Sequence, residues 1–296
     1  MTATHVPVMS LEAMGFLSPG RGGTFVDCTV GLGGHSRAML EAGATRVIGI
    51  DRDPDALGRA RDTLSPWAGR VDLVHSDYRA IDSVLDGLNV TLVDGALADL
   101  GVSSMQFDEP GRGFSFQRDE PLDMRMDRSS GETAADLLAR TAERELADTI
   151  YAYGEERFSR RIARAIVEAR REAPIATTVR LATIVRRAMP SRGYQRIDPA
   201  TRTFQALRIW VNRELDGLDT FLGAMAKRLR VGARLVVITF HSLEDRIVKH
   251  TRRALEKSAD AAVKVLTKKP VVPGDDEIAR NPRARSAKLR AAEKLA

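Results

Sequence analysis

Thr24-Phe25-Val26-Asp27-Cys28-Thr29-Val30-Gly31-Leu32-Gly33-Gly34-His35 is the stretch on which the fold turns. A short β-rich run passes into a glycine cluster, and a helical pattern follows from Ser36 to Ala42. Glycine is needed where a chain turns sharply and lets its backbone approach a ligand. The helix that follows aims its free N–H groups, and the positive end of its dipole, at whatever sits over the loop. The next strand, Arg46-Val47-Ile48-Gly49-Ile50, ends on Asp51, twenty residues after Gly31. That is the spacing at which a doubly wound nucleotide fold sets a carboxylate on ribose hydroxyls. The stretch therefore predicts a pocket for a ribose-bearing cofactor.

Two cofactor classes compete for it. The dinucleotide fingerprint is G-x-G-x-x-G/A, whose last glycine permits close helix–strand packing. Here that position is Ser36, and a glycine falls one place early. Asp27, at the end of the first strand, would repel a pyrophosphate but suits an ammonium group such as the methionine end of S-adenosylmethionine. A third strand, Val71-Asp72-Leu73-Val74-His75, runs into Ser76-Asp77-Tyr78, which offers a polar group and an aromatic face for adenine.

Composition narrows the class. The 296 residues exceed a typical single domain, and a hydrophobic content of 43% is ample for a core. The one cysteine, Cys28, excludes internal disulfides and fits a reducing, cytoplasmic setting. No secretory leader pattern is present, and no apolar run approaches the roughly 18 residues of a membrane span. The formal net charge of +6 points to a polyanionic partner.

Taken in order, residues 1–22 read as a lead-in helix. Strands are expected at 24–28, 46–50, 71–75 and about 93–98, with helices between them, one starting near Pro54 and one holding Ile81, Val84 and Leu85. Such alternation predicts an α/β parallel sheet with its ligand at the strands' carboxyl ends. Asp27, Asp51, Asp77 and Asp99 would then share one rim. At about Gln106 the rhythm breaks, and helical patterns follow at 133–150, 155–172, 178–189 and 201–229. Strand periodicity returns at Arg234 to Phe240. The expected division is a cofactor-binding domain of residues 1–105 and 216–296 and a helical insertion of residues 106–215.

The basic charge concentrates in that insertion. Between Tyr151 and Glu214 lie fourteen arginines, no lysines and six acidic residues, an excess larger than that of the whole chain. Arginine's planar fork suits phosphates and stacks on bases, so the insertion is the expected RNA-recognition region. Arg192-Gly193-Tyr194-Gln195-Arg196 and Thr201-Arg202-Thr203-Phe204-Gln205 add aromatics among basic and amide groups. After the fifth strand, Ser242 is a candidate N-cap with Asp245 as its capping-box partner, and His241 reads as structural. Arg280 to Arg285 either contacts phosphates or leads into a last strand at Ser286 to Arg290. No histidine or cysteine cluster has metal-ligand spacing, so no metal is expected.

These segments together resemble the MraW/RsmH family. The resemblance is carried by Val26 to Ser36, Asp94 to Ser104, Arg112-Gly113-Phe114-Ser115-Phe116 to Asp127, and Tyr153-Gly154-Glu155-Glu156-Arg157-Phe158. It continues through Pro199 to Ala206, Phe240 to Lys249 and Asn281 to Ser286, so it runs from His5 to about Arg290. It implies a class I, Rossmann-like methyltransferase sheet with a helical insertion after strand four. The implied activity is methylation of the exocyclic N4 of a cytosine in the decoding region of 16S rRNA, within the small ribosomal subunit, with S-adenosyl-L-methionine as donor. The implied cofactor contacts are Gly33, Gly34, His35, Asp51, Tyr78, Asp99 and Gln106. One departure is visible: the family usually has His where this chain has Asp198.

Methyl transfer from a sulfonium is an in-line displacement, so positioning should supply much of the rate. Cytosine N4 is a poor nucleophile because its lone pair is delocalised into the ring. A hydrogen-bond acceptor after strand four would free that pair: the Asp99 carboxylate, or a carbonyl of Leu100 to Val102. The target base must leave its stack to reach it, and Phe114 or Phe116 would stack on it. Two other functions are open to such a sequence, a non-catalytic RNA-binding assembly factor with a relic pocket and a dehydrogenase of the dinucleotide type.

Overall fold

Strand β1 (Thr24–Asp27) is apolar where it must be, with Phe25 and Val26 buried, and it lies inside the sheet. It pairs with β2 (Arg46–Asp51) and β4 (Val93–Asp99), which pair in turn with β3 (Val71–His75) and β5 (Leu229–Thr239), all parallel. The near-continuous apolar runs of β2 and β4 are what strands covered on both faces require. Two further strands, β6 (Val263–Val265) and β7 (Lys288–Lys294), complete a sheet of order β3-β2-β1-β4-β5-β7-β6. Strand β7 runs antiparallel to both of its neighbours. This is the class I, Rossmann-like arrangement that the resemblance implied. The computed structural model describes residues 7–190, 197–258 and 262–295; Arg192 to Arg196 and the start of the lead-in, His5 included, lie outside them.

The chain divides into a sheet unit, Met1–Gly101 with Gly217–Ala296, and a helical unit, Val102–Asp216. Helices α1 (Ser10–Leu17), α2 (Gly34–Glu41), α3 (Pro54–Thr63) and α4 (Ile81–Gly87) belong to the first. The second holds α5 (Ser104–Asp108), α6 (Ala134–Arg140), α7 (Glu143–Gly154), α8 (Ser159–Glu172), α9 (Thr178–Ala188) and α10 (Ala200–Asn212). The chain then returns to the sheet unit with α11 (Leu218–Arg228), α12 (Ser242–Leu255) and α13 (Asp275–Arg280).

Strand alternation sorts the sheet's side chains between two cores. Phe25, Val47, Leu97 and Val236 meet Leu17 of α1, Met39 of α2 and Leu57 of α3 on one face. Val26, Ile48, Ala96 and Val237 meet Leu85 of α4, Phe221 of α11 and Val248 of α12 on the other. The helical unit has its own core, built from Ile150, Ile166, Val185 and Leu207 with Met124 and Leu122.

Several expected boundaries move. The helix expected over 133–150 is two, because Thr141 and Ala142 are extended. That expected over 201–229 is also two: Arg213 (φ 51°) and Gly217 (φ 66°) take left-handed conformations between α10 and α11. Glu155 (φ 49°) ends α7 in the same way, so α8 begins at Ser159 rather than at 155. Strand β6 has no counterpart among the expected strands, and β7 starts two residues later than expected and runs to Lys294. The N-cap of α12 is His241, and Asp245 is not a capping partner: its carboxylate accepts from Arg290 Nε at 2.5 Å and Nη2 at 3.0 Å.

Candidate functional site

After β1 the chain goes to β2 and β3 on one side, then crosses to β4 on the other. The carboxyl ends of β1 and β4 therefore flank the switch point at which open α/β sheets bind ligands. The glycine loop lies there. Val30 N–H donates to Ile50 O at 2.8 Å and Gly33 N–H to Val30 O at 2.7 Å, closing the turn from β1 into α2. Gly31 (φ 50°) and Gly33 (φ 83°) are left-handed, and Gly33 is the N-cap of α2. A Cβ on Gly33 would fall 3.1 Å from Leu64 Cγ, and one on Gly34, the first residue of α2, 3.3 Å from Pro7.

Asp51 ends β2 and pins this loop. Its Oδ2 accepts the Gly31 N–H at 2.8 Å and its Oδ1 the Asp53 N–H at 2.9 Å. Burial pushes its carboxyl up to about 6 from 3.8, even though those two N–H groups pull the other way.

Asp99 ends β4, and its backbone N–H donates to Thr29 Oγ1 at 2.7 Å, which ties β4 to the loop. Its Oδ2 lies 3.5 Å from His35 Nε2, an ion-pair distance without hydrogen-bond geometry. His35 is 5% exposed, and among the described residues neither of its ring nitrogens has a hydrogen-bond partner; the same holds for the buried Asp99 Oδ1. Burial alone would lower the His35 pKa, but the Asp99 and Asp27 carboxylates, with Glu277, outweigh it and raise it above 6.5. Asp27 itself is fully buried, accepts the Ser36 hydroxyl at 2.8 Å, and is raised by that burial. Ser36, the departure from the dinucleotide fingerprint, thus satisfies a buried carboxylate.

The third strand's end is more occupied than its sequence implied. Asp77 is clamped between the Arg52 and Arg79 guanidinium groups, with Arg79 Nη2 at 2.7 Å. Despite partial burial, those two charges hold its carboxyl well below the usual range. Tyr78 meets Phe221 in a tilted contact, at 4.7 Å between centroids and 56° between planes, and burial raises its hydroxyl pKa.

The helical unit holds Gln106, buried at the start of α5. Its Oε1 accepts the Ser103 N–H at 3.0 Å in a capping box, a role the sequence reading missed although Ser103-x-x-Gln106 is a capping-box pattern. Phe114 is a core residue, edge-on to Phe107, and so is not free to stack on a base. Phe116 meets Phe204 edge-on at 4.7 Å, with the Arg186 guanidinium 5.5 Å from its ring centre.

The arginines of this unit fall into two groups. Arg170 donates to the Leu138 and Thr141 carbonyls, Arg180 to those of Ala169 and Ala173, and Arg208 pairs through two bonds with the buried Glu214. Arg160, Arg161, Arg171 and Arg187 are exposed and have no ion pair among the described residues. On α8 the two groups follow from amphipathicity: Ile162, Ala163 and Ile166 are buried, and Arg160, Arg161 and Arg164 face outward. Asp198, where the family usually has His, accepts Arg186 Nη2 at 2.8 Å and the Ala200 N–H at 2.8 Å, so it both satisfies the first N–H of α10 and neutralises Arg186. Partial burial opposes its ionisation, but Arg186 holds the carboxyl below 3.8.

The profile of the MraW methylase family matches residues 2–295. A ribosomal RNA small subunit methyltransferase H from Nitrobacter winogradskyi is 51% identical over 302 residues, covering 98% of this chain and 90% of that protein. One from Sorangium cellulosum is 53% identical over 291 residues, covering 98% and 91%. Among solved structures, a putative methyltransferase from Streptococcus mutans in complex with SAH aligns over 98% of this chain and 100% of its own. Its sequence identity is 13% and its TM-score 0.44.

Proposed function

The chain belongs to the MraW methylase family, and from that membership we propose that it methylates the exocyclic N4 of one cytosine in the decoding region of 16S rRNA. It is a ribosomal RNA methyltransferase, with S-adenosylmethionine as its donor. The observation that carries the finer reading is the meeting of the glycine loop, His35 and Asp99 at the switch point.

The residues fit such a cofactor. The loop has no side chains at Gly33 and Gly34, and buried polar atoms of His35 and Asp99 are without hydrogen-bond partners. When bound, S-adenosylmethionine supplies an electrophilic methyl group on a sulfonium. Asp51 would accept the ribose hydroxyls, since each of its oxygens keeps a lone pair beyond the loop N–H it already accepts. Gly33, Gly34 and His35 would line the loop, and Tyr78 would present its ring to adenine. Gln106 belongs to the helical unit, and its role as a cofactor contact follows from the family resemblance alone.

The catalytic role falls to Asp99. As the N4–methyl bond forms, N4 must shed a proton, and a carboxylate hydrogen-bonded to the amino group makes its lone pair available beforehand. Asp99 Oδ1 is the acceptor we assign to that proton, with His35 beside Oδ2 holding the carboxylate in place. The exposed Arg160, Arg161, Arg171 and Arg187 would hold RNA phosphates. No helix among the described residues is long and apolar enough to cross a membrane; action on ribosomal RNA would put the protein in the cytoplasm.

The test is tritiated methyl transfer from S-adenosylmethionine to small ribosomal subunits from a strain lacking the gene, comparing wild type with Asp51→Ala. Nuclease digestion and mass spectrometry locate the label. Label on N4 of a single cytosine, lost in the variant, supports the reading. No label from folded wild type that still binds subunits would leave a non-catalytic assembly factor in its place.

A further inference from the structure

Residues from opposite ends of the sequence meet beside the glycine loop. Glu277 Oε1 of α13 accepts the Met9 N–H at 2.7 Å, across 268 positions of the chain. Met9 is buried, is the N-cap of α1 and is left-handed (φ 51°). A non-glycine residue holds that conformation only where its surroundings fix it. As an N-cap its N–H stands outside the helix's own ladder, and Glu277 is the acceptor that satisfies it.

The bond is anchored on both sides. Behind Glu277, the Asn281 N–H donates to Glu277 O at 2.7 Å, and the Asn281 side chain accepts the Arg283 N–H at 3.3 Å. Ala284 and Ala287, next in line, are buried in the same core as Val8 and Met9. Lys288 then begins β7, opposite Thr239 of β5, so Glu277 is tied to the sheet. Beyond Met9, three carbons of Pro7 lie 3.3 Å from where a Gly34 Cβ would stand. The missing side chain at 34 is what admits the ring against the first residue of α2. Glu277 is also close enough to His35, the next residue of α2, to raise its proton affinity.

We propose that Glu277 is a positioning residue for the cofactor: by fixing Met9 it seats Pro7 on Gly34 and holds the first turn of α2 in the geometry that receives S-adenosylmethionine. The inference rests on the reading that the glycine loop holds that cofactor. Gly31 and Gly33 have bonds of their own, to Asp51 and to Val30. Gly34 has no side chain to fix it, and Pro7 is what packs against it. A site is only as exact as the shell that supports it, and here that shell is the lead-in held by Glu277. Without the acceptor, the Met9 N–H is left unsatisfied inside the protein, and the lead-in regains a bond only by shifting toward water.

The experiment is calorimetric titration of S-adenosylmethionine into the full chain, as wild type, Glu277→Ala, Glu277→Gln, Pro7→Ala and the Glu277→Ala, Pro7→Ala double variant. Glu277→Ala should raise the dissociation constant about tenfold, the scale of one charge-assisted hydrogen bond. Glu277→Gln keeps an acceptor for the Met9 N–H and should restore most of the affinity. Pro7→Ala should also weaken binding, and the double variant should bind no worse than the weaker single, because both act through one contact. In methyl transfer to small subunits, Glu277→Ala should raise KM for S-adenosylmethionine and hold kcat within about twofold. A merely structural role would lower the melting temperature of the free protein and leave affinity unchanged, which would overturn the proposal. Additive losses in the double variant would overturn it too, since they break the route through Pro7. Where Glu277→Ala fails to fold, Pro7→Ala decides, and unchanged affinity there is equally fatal. Folded wild type that binds no S-adenosylmethionine would remove the cofactor reading and this proposal together; normal wild-type binding beside unchanged variants would remove this proposal alone.

Discussion

In the sheet unit, Asp27 is buried and Asp51 and Asp99 are partly buried at the switch point; backbone N–H groups hold Asp51, a hydroxyl holds Asp27, and an imidazole lies beside Asp99. In the helical unit, arginines divide between positions engaged inside the fold, such as Arg170, Arg180 and Arg208, and positions left in solvent, such as Arg160 and Arg161. The difference is one of energetics. A buried acid is held in one geometry and shifts its proton affinity, which suits chemistry on a bound group. An exposed guanidinium contributes little to stability and keeps its charge, which suits a polyanion that must be gripped and released.

Removing the carboxylate at the centre of the first region should have the largest effect. Asp99→Asn should lower single-turnover methyl transfer by about 10²–10⁴-fold, the range for losing a positioned proton acceptor. Calorimetry should find S-adenosylmethionine bound within a few-fold of wild type, which separates a catalytic role from a cofactor-holding one. A loss confined to cofactor affinity would move Asp99 out of the chemistry. Next in size is Arg208→Ala in the second region. It removes both bonds of a buried guanidinium–carboxylate pair with Glu214 and should cost about 3 kcal/mol in urea unfolding, a loss that RNA would not reverse.

What was legible in the sequence follows the same line. Strands β1 to β4 could be read nearly to the residue, because each is a short, mostly apolar run closed by a turn or a polar strand end. The placement of Asp51 and Asp99 at strand ends is likewise local. Strand β6 is three residues long and the antiparallel β7 depends on distant partners, so neither topology nor length could be taken from their own residues. Within the site, the clamping of Asp77 by Arg52 and the approach of His35 to Asp99 are tertiary facts. The division of the arginines was illegible for the same reason: Arg170 and Arg171 are neighbours in sequence, yet only Arg170 reaches the Leu138 and Thr141 carbonyls. Arg213 in a left-handed conformation breaks a helix that composition alone would continue.

A smaller effect is pH-dependent. The Asp51 carboxyl is raised to about 6, so between about 4 and 6 the folded protein holds a proton there that the unfolded chain has lost. Its contribution to stability therefore falls as pH rises through that window and is constant above it. Cofactor affinity should move the opposite way, because ribose hydroxyls donate to the ionised form. Titration calorimetry should find affinity for S-adenosylmethionine rising about tenfold per unit below pH 6 and level above it. Asp27 and His35 are also raised, by burial and by neighbouring carboxylates respectively, so Asp51→Asn is the control: it should weaken binding and remove that slope.

The smallest effect on the fold, and the sharpest test of the contrast, is the pair Arg160→Ala and Arg161→Ala. Both side chains are exposed on α8 beyond its buried Ile162 and Ile166 stripe, so stability should change by no more than about 0.5 kcal/mol. Without these two phosphate-binding cations, the dependence of subunit binding on log salt should fall by about 2, and binding should weaken most at low salt. Arg180→Ala is the counterpart, since it removes donors to the Ala169 and Ala173 carbonyls and should cost about 1 kcal/mol with the salt slope intact. If the α8 double variant keeps the wild-type slope, the outward arginines are a solvated helix face, and RNA must be held elsewhere. If Arg180→Ala changes the slope instead, the split between internal and RNA-facing arginines has been drawn at the wrong residues.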